Sequence, residues 1–244
     1  MAKLTWDDPG KHYYETGISQ GVLYVYDEDD KEYTKDVTAW NGLTAVTEAP
    51  SGAEETALYA DDIKYLSLRS AEDFGLTLEA YTYPDAWGQC DGSASLATGV
   101  VVGQQSRVMF GLAYKTIVGN DVSGNNKGYK LHLIYGATAS PSERAYQTVN
   151  DSPEAITFSW EITTTPANVV PTDTSVNLKL KPVSIITIDS ITADPDFLAE
   201  LEGKLFGTTD EDPYLPLPGE VYDIFNQTKP TPPPGNGEEE HPVG

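Results

Sequence analysis

Little in the sequence is typical of a secreted or membrane protein, and each absence excludes a class. The 244 residues contain one cysteine, Cys90, so no disulfide can form within the chain. A secreted disulfide scaffold is therefore excluded, and we expect folding in a reducing cytoplasm. The N-terminal residues lack the apolar core of a signal peptide, and no apolar run reaches the ~18 residues needed to span a membrane. We expect no export signal and no membrane partner.

Cationic residues are scarce. The chain has 15 Lys and Arg residues against 38 Asp and Glu residues, which gives a formal charge of −23 at pH 7. Proteins that bind nucleic acids use Lys and Arg to neutralise phosphates. The composition therefore argues against a surface that grips DNA or RNA. General solubility is the ordinary interpretation of such an acid excess.

Recognisable catalytic motifs are missing as well. The three histidines, His12, His132 and His241, lie far from one another and from Cys90 in sequence, which gives little support to a zinc site or a Cys-His dyad. No phosphate-binding glycine motif, nucleophile elbow or dinucleotide fingerprint is found. Acidic residues that could form a glycosidase pair lack a supporting fold signature. We therefore expect no enzymatic activity, no cofactor and no metal.

What the chain does have is alternation of apolar and polar residues, which is typical of β-strands. Phe74, Leu76, Leu78 and Ala80 would lie on one face of a strand and the residues between them on the other. The same period recurs at residues 108–114, 129–135 and 156–163. An antiparallel sheet keeps one face on the core and offers the other to solvent or a partner. The pattern predicts a mainly β fold, a sandwich or barrel.

The organisation along the chain predicts one β domain over residues 1–225 and a disordered tail rich in Pro, Gly and Glu at 226–244. Residues 40–57 carry Gly and Pro without periodicity, which predicts a long loop. A short helix is predicted over about 195–206, because Asp194 can cap it and Pro195 suits the first helical position. The apolar, proline-rich segment 207–225 predicts an extended arm that lies in a surface groove.

The order of these segments resembles the major tail (tail tube) proteins of long, non-contractile-tailed bacteriophages, especially those of Gram-positive hosts. The resemblance covers roughly residues 18–225. It rests on the segments GVLYVYD, WNGLTAV, YADDIKYLSL, FGLTLEAYTYPDAW, RVMFGLAYKTIVGND, GYKLHLIYGATASPSER, ITFSWEITTTP and LPLPGEV. A clear central helix, frequent in that family, is in doubt here because Gly88 and Gly92 interrupt its segment.

The resemblance implies a tail-tube fold of two packed antiparallel sheets with a short flanking α-helix and an extended C-terminal segment. It also implies hexameric rings that stack into a tube, through which genome DNA passes without specific binding. The partners would be other copies of the chain and other phage tail proteins. The protein would be part of the virion and would assemble in the cytoplasm of the host bacterium.

The resemblance further suggests roles for particular residues. The loop at 40–57 would reach the next ring, and its candidate contacts are Trp40, Asn41, Leu43, Val46 and Pro50. The C-terminal arm would make contacts through Leu215, Leu217 and Val221. Carboxylates that face the channel would repel DNA, which carries about one negative charge per 1.7 Å. The candidates on the polar faces of strands are Asp62, Glu79 and Glu161.

Two other classes of function stay open at this point. An aromatic-rich β-sandwich could be a carbohydrate-binding module in which Trp40, Trp87, Tyr81 or Tyr83 stacks on sugars. The absence of an export signal counts against that interpretation. The chain could also be a different structural subunit of a virion or a surface array.

Overall fold

The computed structural model describes residues 4–146, 148, 155–173 and 178–227, and the fold is mainly β. The helices are α1 (Trp87–Asp91), α2 (Pro195–Phe206) and α3 (Pro218–Phe225). The strands are β1 (Tyr13–Asp27), β2 (Glu32–Trp40), β3 (Leu43–Glu48), β4 (Ser51–Gly52), β5 (Glu55–Ala60), β6 (Ile63–Arg69), β7 (Glu72–Asp73), β8 (Gly75–Ala80), β9 (Ala94–Ala97), β10 (Val100–Val102), β11 (Phe110–Asn120), β12 (Gly124–Ala139), β13 (Phe158–Thr164) and β14 (Ile185–Asp189).

Eight of these strands form one antiparallel sheet that bends into two layers. The order is β2-β1-β11-β12-β13-β8-β3, and β14 also pairs with β12. Strands β2, β1, β11, β14 and most of β12 form what we call the main layer. Strands β13, β8 and β3 form the second layer. The predicted mainly β fold with packed antiparallel sheets is confirmed.

Strand β12 belongs to both layers. Residues Lys130 to Ile134 pair with β14, and Ala137 to Ala139 pair with β13. Between them, Gly136 has a φ of +61°, and a Cβ built there would come within 2.0 Å of the Thr165 carbonyl oxygen. A residue with a side chain would clash with backbone at this point, so glycine is required for the bend.

The core between the two layers is rich in tryptophan. Trp40, Trp87 and Trp160 are each at most 3% exposed, and their rings meet one another at centroid distances of 4.8–5.8 Å. Helix α1 supplies Trp87 and Cys90, and Leu78 and Leu112 reach this core from the two layers. Because large aromatic side chains bury so much surface, this cluster contributes much of the domain's stability.

A second core lies on the opposite side of the main layer. Helices α2 and α3 cover that side with Leu198, Leu201, Leu205, Val221 and Ile224. The central strands β1, β11 and β12 are therefore buried on both faces, as the run Val22 to Val25 shows. The expectation that one face of each alternating strand is free holds for β8 and β13 and is wrong for these strands. Small residues on these strands, such as Gly111 and Ala113, make the second buried face hard to recognise in the sequence.

The prediction of a long loop at residues 40–57 is wrong. Trp40 ends β2, and after a turn at Asn41-Gly42 the chain forms β3 with Val46 opposite Leu78 of β8. Strands β4 and β5 then continue the chain away from the large sheet. They pair with β7 and β6, respectively, on the returning part of the chain. Residues 43–80 thus form one long two-stranded ribbon, of which β3 and β8 are the inner half.

The helix predicted over 195–206 is confirmed, and its cap is as expected. The Asp194 side chain accepts a hydrogen bond from the amide of Asp196 at 3.0 Å, and Pro195 is the first helical residue. The extended arm predicted at 207–225 is only partly correct, because its second half is α3. Pro218 begins α3 at a position where its missing N–H costs nothing. The tail predicted at 226–244 lies, from residue 228 onward, outside the described residues.

A polar cluster centred on the buried His132 ties β3 to the main layer. His132 is 8% exposed, and its Nε2 and Nδ1 lie 2.9 Å and 3.3 Å from the hydroxyls of Thr116 and Thr187. Its ring stacks on Tyr114, whose hydroxyl donates to Glu48 of β3 at 2.9 Å. Burial lowers the pKa of His132, and the nearby Glu48 carboxylate opposes that shift. The histidine is a core residue, although it alternates with Leu131 and Leu133 in the sequence as a polar-face residue of a strand would.

Candidate assembly surfaces

The outer half of the ribbon, residues 53–71, projects from the body as a hairpin made of β5 and β6, which we call the projecting hairpin. Hydrogen bonds close its base, from the amide of Ala53 to the carbonyl of Ala71 at 3.1 Å and from Ser70 to Glu54 at 3.3 Å. From Glu55 to the turn at Asp61-Asp62 the strand rises by about 20 Å. Strands β5 and β6 pack mainly on each other. A two-stranded hairpin of this kind is marginally stable alone.

One face of the projecting hairpin is apolar and uncovered. The pairs Leu58–Leu66 and Ala60–Ile63 place Leu58, Ile63 and Leu66 on the same side, and Leu68 lies there opposite Thr56. The exposed fractions are 42% for Leu58, 64% for Ile63, 38% for Leu66 and 54% for Leu68. Contiguous exposed apolar residues of this kind mark interaction sites. We call this surface the hairpin's apolar face.

The opposite face of the hairpin is polar and internally paired. Glu55 accepts hydrogen bonds from Lys64 and Ser67 and lies 3.8 Å from Arg69. These contacts, led by Lys64, hold the pKa of Glu55 below its usual value. The two faces therefore differ in character, which allows a partner to be recognised by one of them.

The tip of the hairpin consists of two carboxylates. Asp61 and Asp62 have φ values of +50° and +63°, which matches the type I′ turns that join two-residue hairpins. Both side chains are exposed. Asp62 was predicted to lie on the polar face of a strand, and this is wrong because the residue occupies the turn.

The second layer presents an open face with acids and hydroxyls. Glu79 of β8 lies opposite Ser159, and Glu161 of β13 lies opposite Thr77, so both acids share the face that points away from the core. Thr47 of β3 and Thr163 of β13 extend this surface. The face carries no Lys or Arg on the described strands β3, β8 and β13. The structure thus brings two of the three candidate channel acids together and separates Asp62 from them.

The residues predicted to form an inter-ring loop are placed differently. Trp40 is 3% exposed and donates from Nε1 to the Thr82 carbonyl at 2.9 Å. Leu43 and Val46 pack against the core from β3. Asn41 is exposed in the turn after β2, and Pro50 is exposed between β3 and β4. The apolar members of this set therefore serve the subunit's own core, and the exposed apolar residues lie further along the same ribbon.

The C-terminal residues predicted to contact a neighbour also pack within the subunit. Leu215 is 1% exposed, and its amide donates to the Tyr33 carbonyl at 3.2 Å. Val221 is buried on α3 against the main layer, and Leu217, at 40% exposed, precedes that helix. The segment acts as a cover for its own sheet in this subunit.

The residues proposed for sugar stacking are unsuited to it. Trp40 and Trp87 are buried in the inter-layer core, and Tyr83 packs edge-on against Phe158 and Trp160. Tyr81 is 56% exposed but stands without those rings beside it on the surface. These four side chains therefore do not form one exposed aromatic surface in this subunit.

Sequence reasoning missed the hairpin's apolar face, although a signal was present. Residues 56–68 alternate in a strand-like way, and Asp61-Asp62 in their middle is a turn signal between two β-prone runs. The turn divides the run into two paired strands, which leave their apolar side uncovered.

Neither a metal cluster nor a membrane-spanning helix is found in the described part of the chain. No group of three or more His, Cys, Asp or Glu residues there could hold a metal ion. None of the described helices is long and apolar enough to cross a membrane. A scan against models of known protein families gives no match, and a search of curated proteins gives none either.

Proposed function

We propose that the protein is the structural subunit of a bacteriophage tail tube, in which copies close into hexameric rings and the rings stack around an acidic channel for genome DNA. Other tail proteins would meet the ends of the tube. The function is mechanical, and the chain performs it as part of the virion after assembly in the host bacterium.

The observation that carries this proposal is the projecting hairpin. Four large aliphatic side chains on it remain 38–64% exposed. Each Leu or Ile gains about 1.5–3 kcal/mol on full burial. A hairpin that has no body of its own to pack against gains this free energy only on another molecule, and a second copy is always present at the concentration of the first.

The open face of the second layer supports the idea of a channel. Its hydroxyls and two carboxylates offer DNA no cation to bind, and like charge keeps phosphates at a distance. Screening limits this repulsion to about 8 Å at physiological salt, so the acids act only on DNA inside a narrow channel. Residues of this chemistry would let DNA slide.

Free sheet edges support closure into a ring. Strand β3 ends the sheet order and is hydrogen-bonded to β8 on one side among the described strands. Unpaired edges invite strand addition, and ring closure removes them. The edge and the hairpin belong to the same ribbon, so lateral and axial contacts would be made by one continuous element.

The test is to remove the projecting hairpin without disturbing the sandwich. Ser51 pairs with Asp73 and Gly52 with Glu72, so the ribbon is already closed below the hairpin. Replacing residues 53–71 by Asn-Gly should join these strands in a two-residue turn. We expect the shortened protein to keep its circular dichroism and thermal transition and to form no tubes.

Negative-stain microscopy and sedimentation of the full chain at several salt concentrations provide the comparison. Tubes or rings are expected from the full chain, with assembly favoured by salt because each subunit carries a charge of −23. A full chain that stays monomeric at high concentration and at every salt level would refute the proposal. Long tubes from the shortened protein would show that the hairpin is not the contact.

A further inference from the structure

A polar cleft lies beside the short helix α1, on the side of the molecule where residues 91–93, 103–107 and 140–144 meet. Its volume is about 590 Å³, within the range of ligand sites. Its walls carry an unusual concentration of hydrogen-bond donors, namely Arg107, Arg144, Gln104, Gln105 and Ser142. We call it the arginine cleft.

The arginines in this cleft are noteworthy because the chain has so few. Of three arginines in 244 residues, Arg107 and Arg144 both line the cleft. One acid, Asp91, is present, and it is already paired with Arg144. Two arginines and one aspartate give the lining a net formal charge of +1 in a protein of charge −23, whereas Glu143, next to Arg144 in the chain, is outside the lining.

Arg107 is the cleft residue whose Nε lacks a hydrogen-bond acceptor among the described residues. It forms no ion pair with the described residues, and its Nε is buried without a hydrogen-bond acceptor. Gly92, with a φ of +86°, lets the guanidinium approach closely, since a Cβ there would lie 3.1 Å from Arg107 Cζ. A buried donor left without an acceptor is costly, so such groups normally have one in the working state of a protein.

We propose that the arginine cleft binds carboxylates of a second copy of this chain, and that these are Asp61 and Asp62 at the tip of the projecting hairpin. This inference rests on the self-association proposed above and names the receptor for the hairpin. Guanidinium groups bind carboxylates in paired, charge-assisted hydrogen bonds. The tip stands about 20 Å from the hairpin base, far enough to enter a neighbouring subunit.

The hairpin tip fits this role better than the acidic turn at 27–32. In that turn Asp27 already accepts from the amide of Asp29 at 2.9 Å, and Lys31 lies beside the acids. At the hairpin tip the nearest cation in sequence, Lys64, is engaged by Glu55 on the polar face. Asp61 and Asp62 are thus exposed carboxylates held in a fixed turn, with their acceptor capacity free for a donor-rich cleft.

A pair of charge-neutralising variants separates this inference from general repulsion. Asp61→Asn with Asp62→Asn removes two negative charges at the tip, and Asp29→Asn with Asp30→Asn removes two from the turn. If charge repulsion alone governed assembly, both variants would assemble at lower concentration than the wild type. We expect the tip variant to need a concentration about tenfold or more higher, because two charge-assisted contacts are lost. The turn variant should need an equal or lower one.

Disulfide cross-linking tests whether the hairpin tip of one subunit lies in the arginine cleft of another. Asp62→Cys and Gln104→Cys proteins, mixed before assembly and oxidised with copper-phenanthroline in air, should give a disulfide-linked dimer on a non-reducing gel. Native Cys90 is a suitable background, because burial raises the pKa of its thiol to about 12 and keeps it unreactive. The pair Asp30→Cys and Gln104→Cys is the matched control and should remain unlinked.

The outcomes are distinguishable. Wild-type tubes together with an absent Asp62–Gln104 link, or a tip variant that assembles as well as the turn variant, would overturn the cleft assignment and leave the tail-tube proposal intact. A linked Asp30–Gln104 pair would assign the cleft to the acidic turn and also overturn it. Absence of any self-association would overturn both proposals.

Discussion

Replacing leucines on the hairpin's apolar face should weaken assembly by an amount that their burial predicts. Leu58 and Leu68 are 42% and 54% exposed, so about half of each side chain remains to be covered by a partner. Full burial of a leucine contributes about 1.5–3 kcal/mol, so the remaining half contributes about 1 kcal/mol. Leu58→Ser with Leu68→Ser should therefore cost each subunit contact about 2 kcal/mol.

The assay is the concentration at which tubes appear, measured by light scattering and confirmed by sedimentation. A loss of about 2 kcal/mol corresponds to an increase of about 30-fold in that concentration. The thermal transition of the monomer should change little, because both leucines lie outside the two cores and surface substitutions usually stay within about 0.5 kcal/mol.

Tyr59→Ser is the matched control for this experiment. Tyr59 is 72% exposed on the same hairpin, but it pairs with Lys64 on the polar face. Its replacement removes a comparable apolar area and should leave the assembly concentration nearly unchanged. Equal effects of the two changes would refute the assignment of the contact to one face, and no effect of either would refute the burial argument itself.

Two further predictions concern the open face of the second layer and the buried histidine. The double change Glu79→Lys and Glu161→Lys should leave assembly intact and make preformed tubes bind short duplex DNA in a salt-sensitive way. Fluorescence anisotropy measures this binding. Variant tubes that do not bind DNA would show that this face is not exposed to the channel. His132 binds its proton more weakly in the folded than in the unfolded chain, because burial lowers its pKa. Protonation therefore favours the unfolded chain, and the free energy of unfolding decreases as the pH falls below about 6.5. The melting temperature of His132→Gln should fall less between pH 7.5 and pH 5.5 than that of the wild type, and equal falls would contradict this.

Elements whose structure is decided locally could be predicted from the sequence. Alternation in β8 and β13 predicted their buried and open faces, because each strand has one core side. Asp194, Pro195 and a stripe of leucines predicted α2, since the cap and the first turn act within a few residues.

Elements that depend on distant contacts could not be predicted. β3 looks like a loop because it is short and is flanked by Gly42 and Pro50, and its strand character comes from pairing with β8. The segment of α3 looks extended because of its prolines, although Pro218 only marks the first turn. The burial of β1 and β11 on both faces depends on helices that follow much later in the chain.

The candidate sites show the same division. Glu79 and Glu161 could each be assigned to an outward face in advance, because strand periodicity determines the side on which a residue lies. Arg107 and Arg144 could not, because they are brought together by the segment between β10 and β11 and the segment that follows β12. A sequence pattern can report which side of a strand a residue occupies, whereas a cleft assembled from three loops has no period to detect.

The bend of β12 at Gly136 also has a mechanical meaning. Among the described strands, β12 carries backbone ladder bonds in both layers, so in the proposed tube it would transmit part of the load between the channel side and the outer side. Such a load acts along the strand and shears many ladder bonds together instead of peeling them one by one. In the proposed tube these bonds would yield together, and Gly136 marks the point at which the strand changes direction.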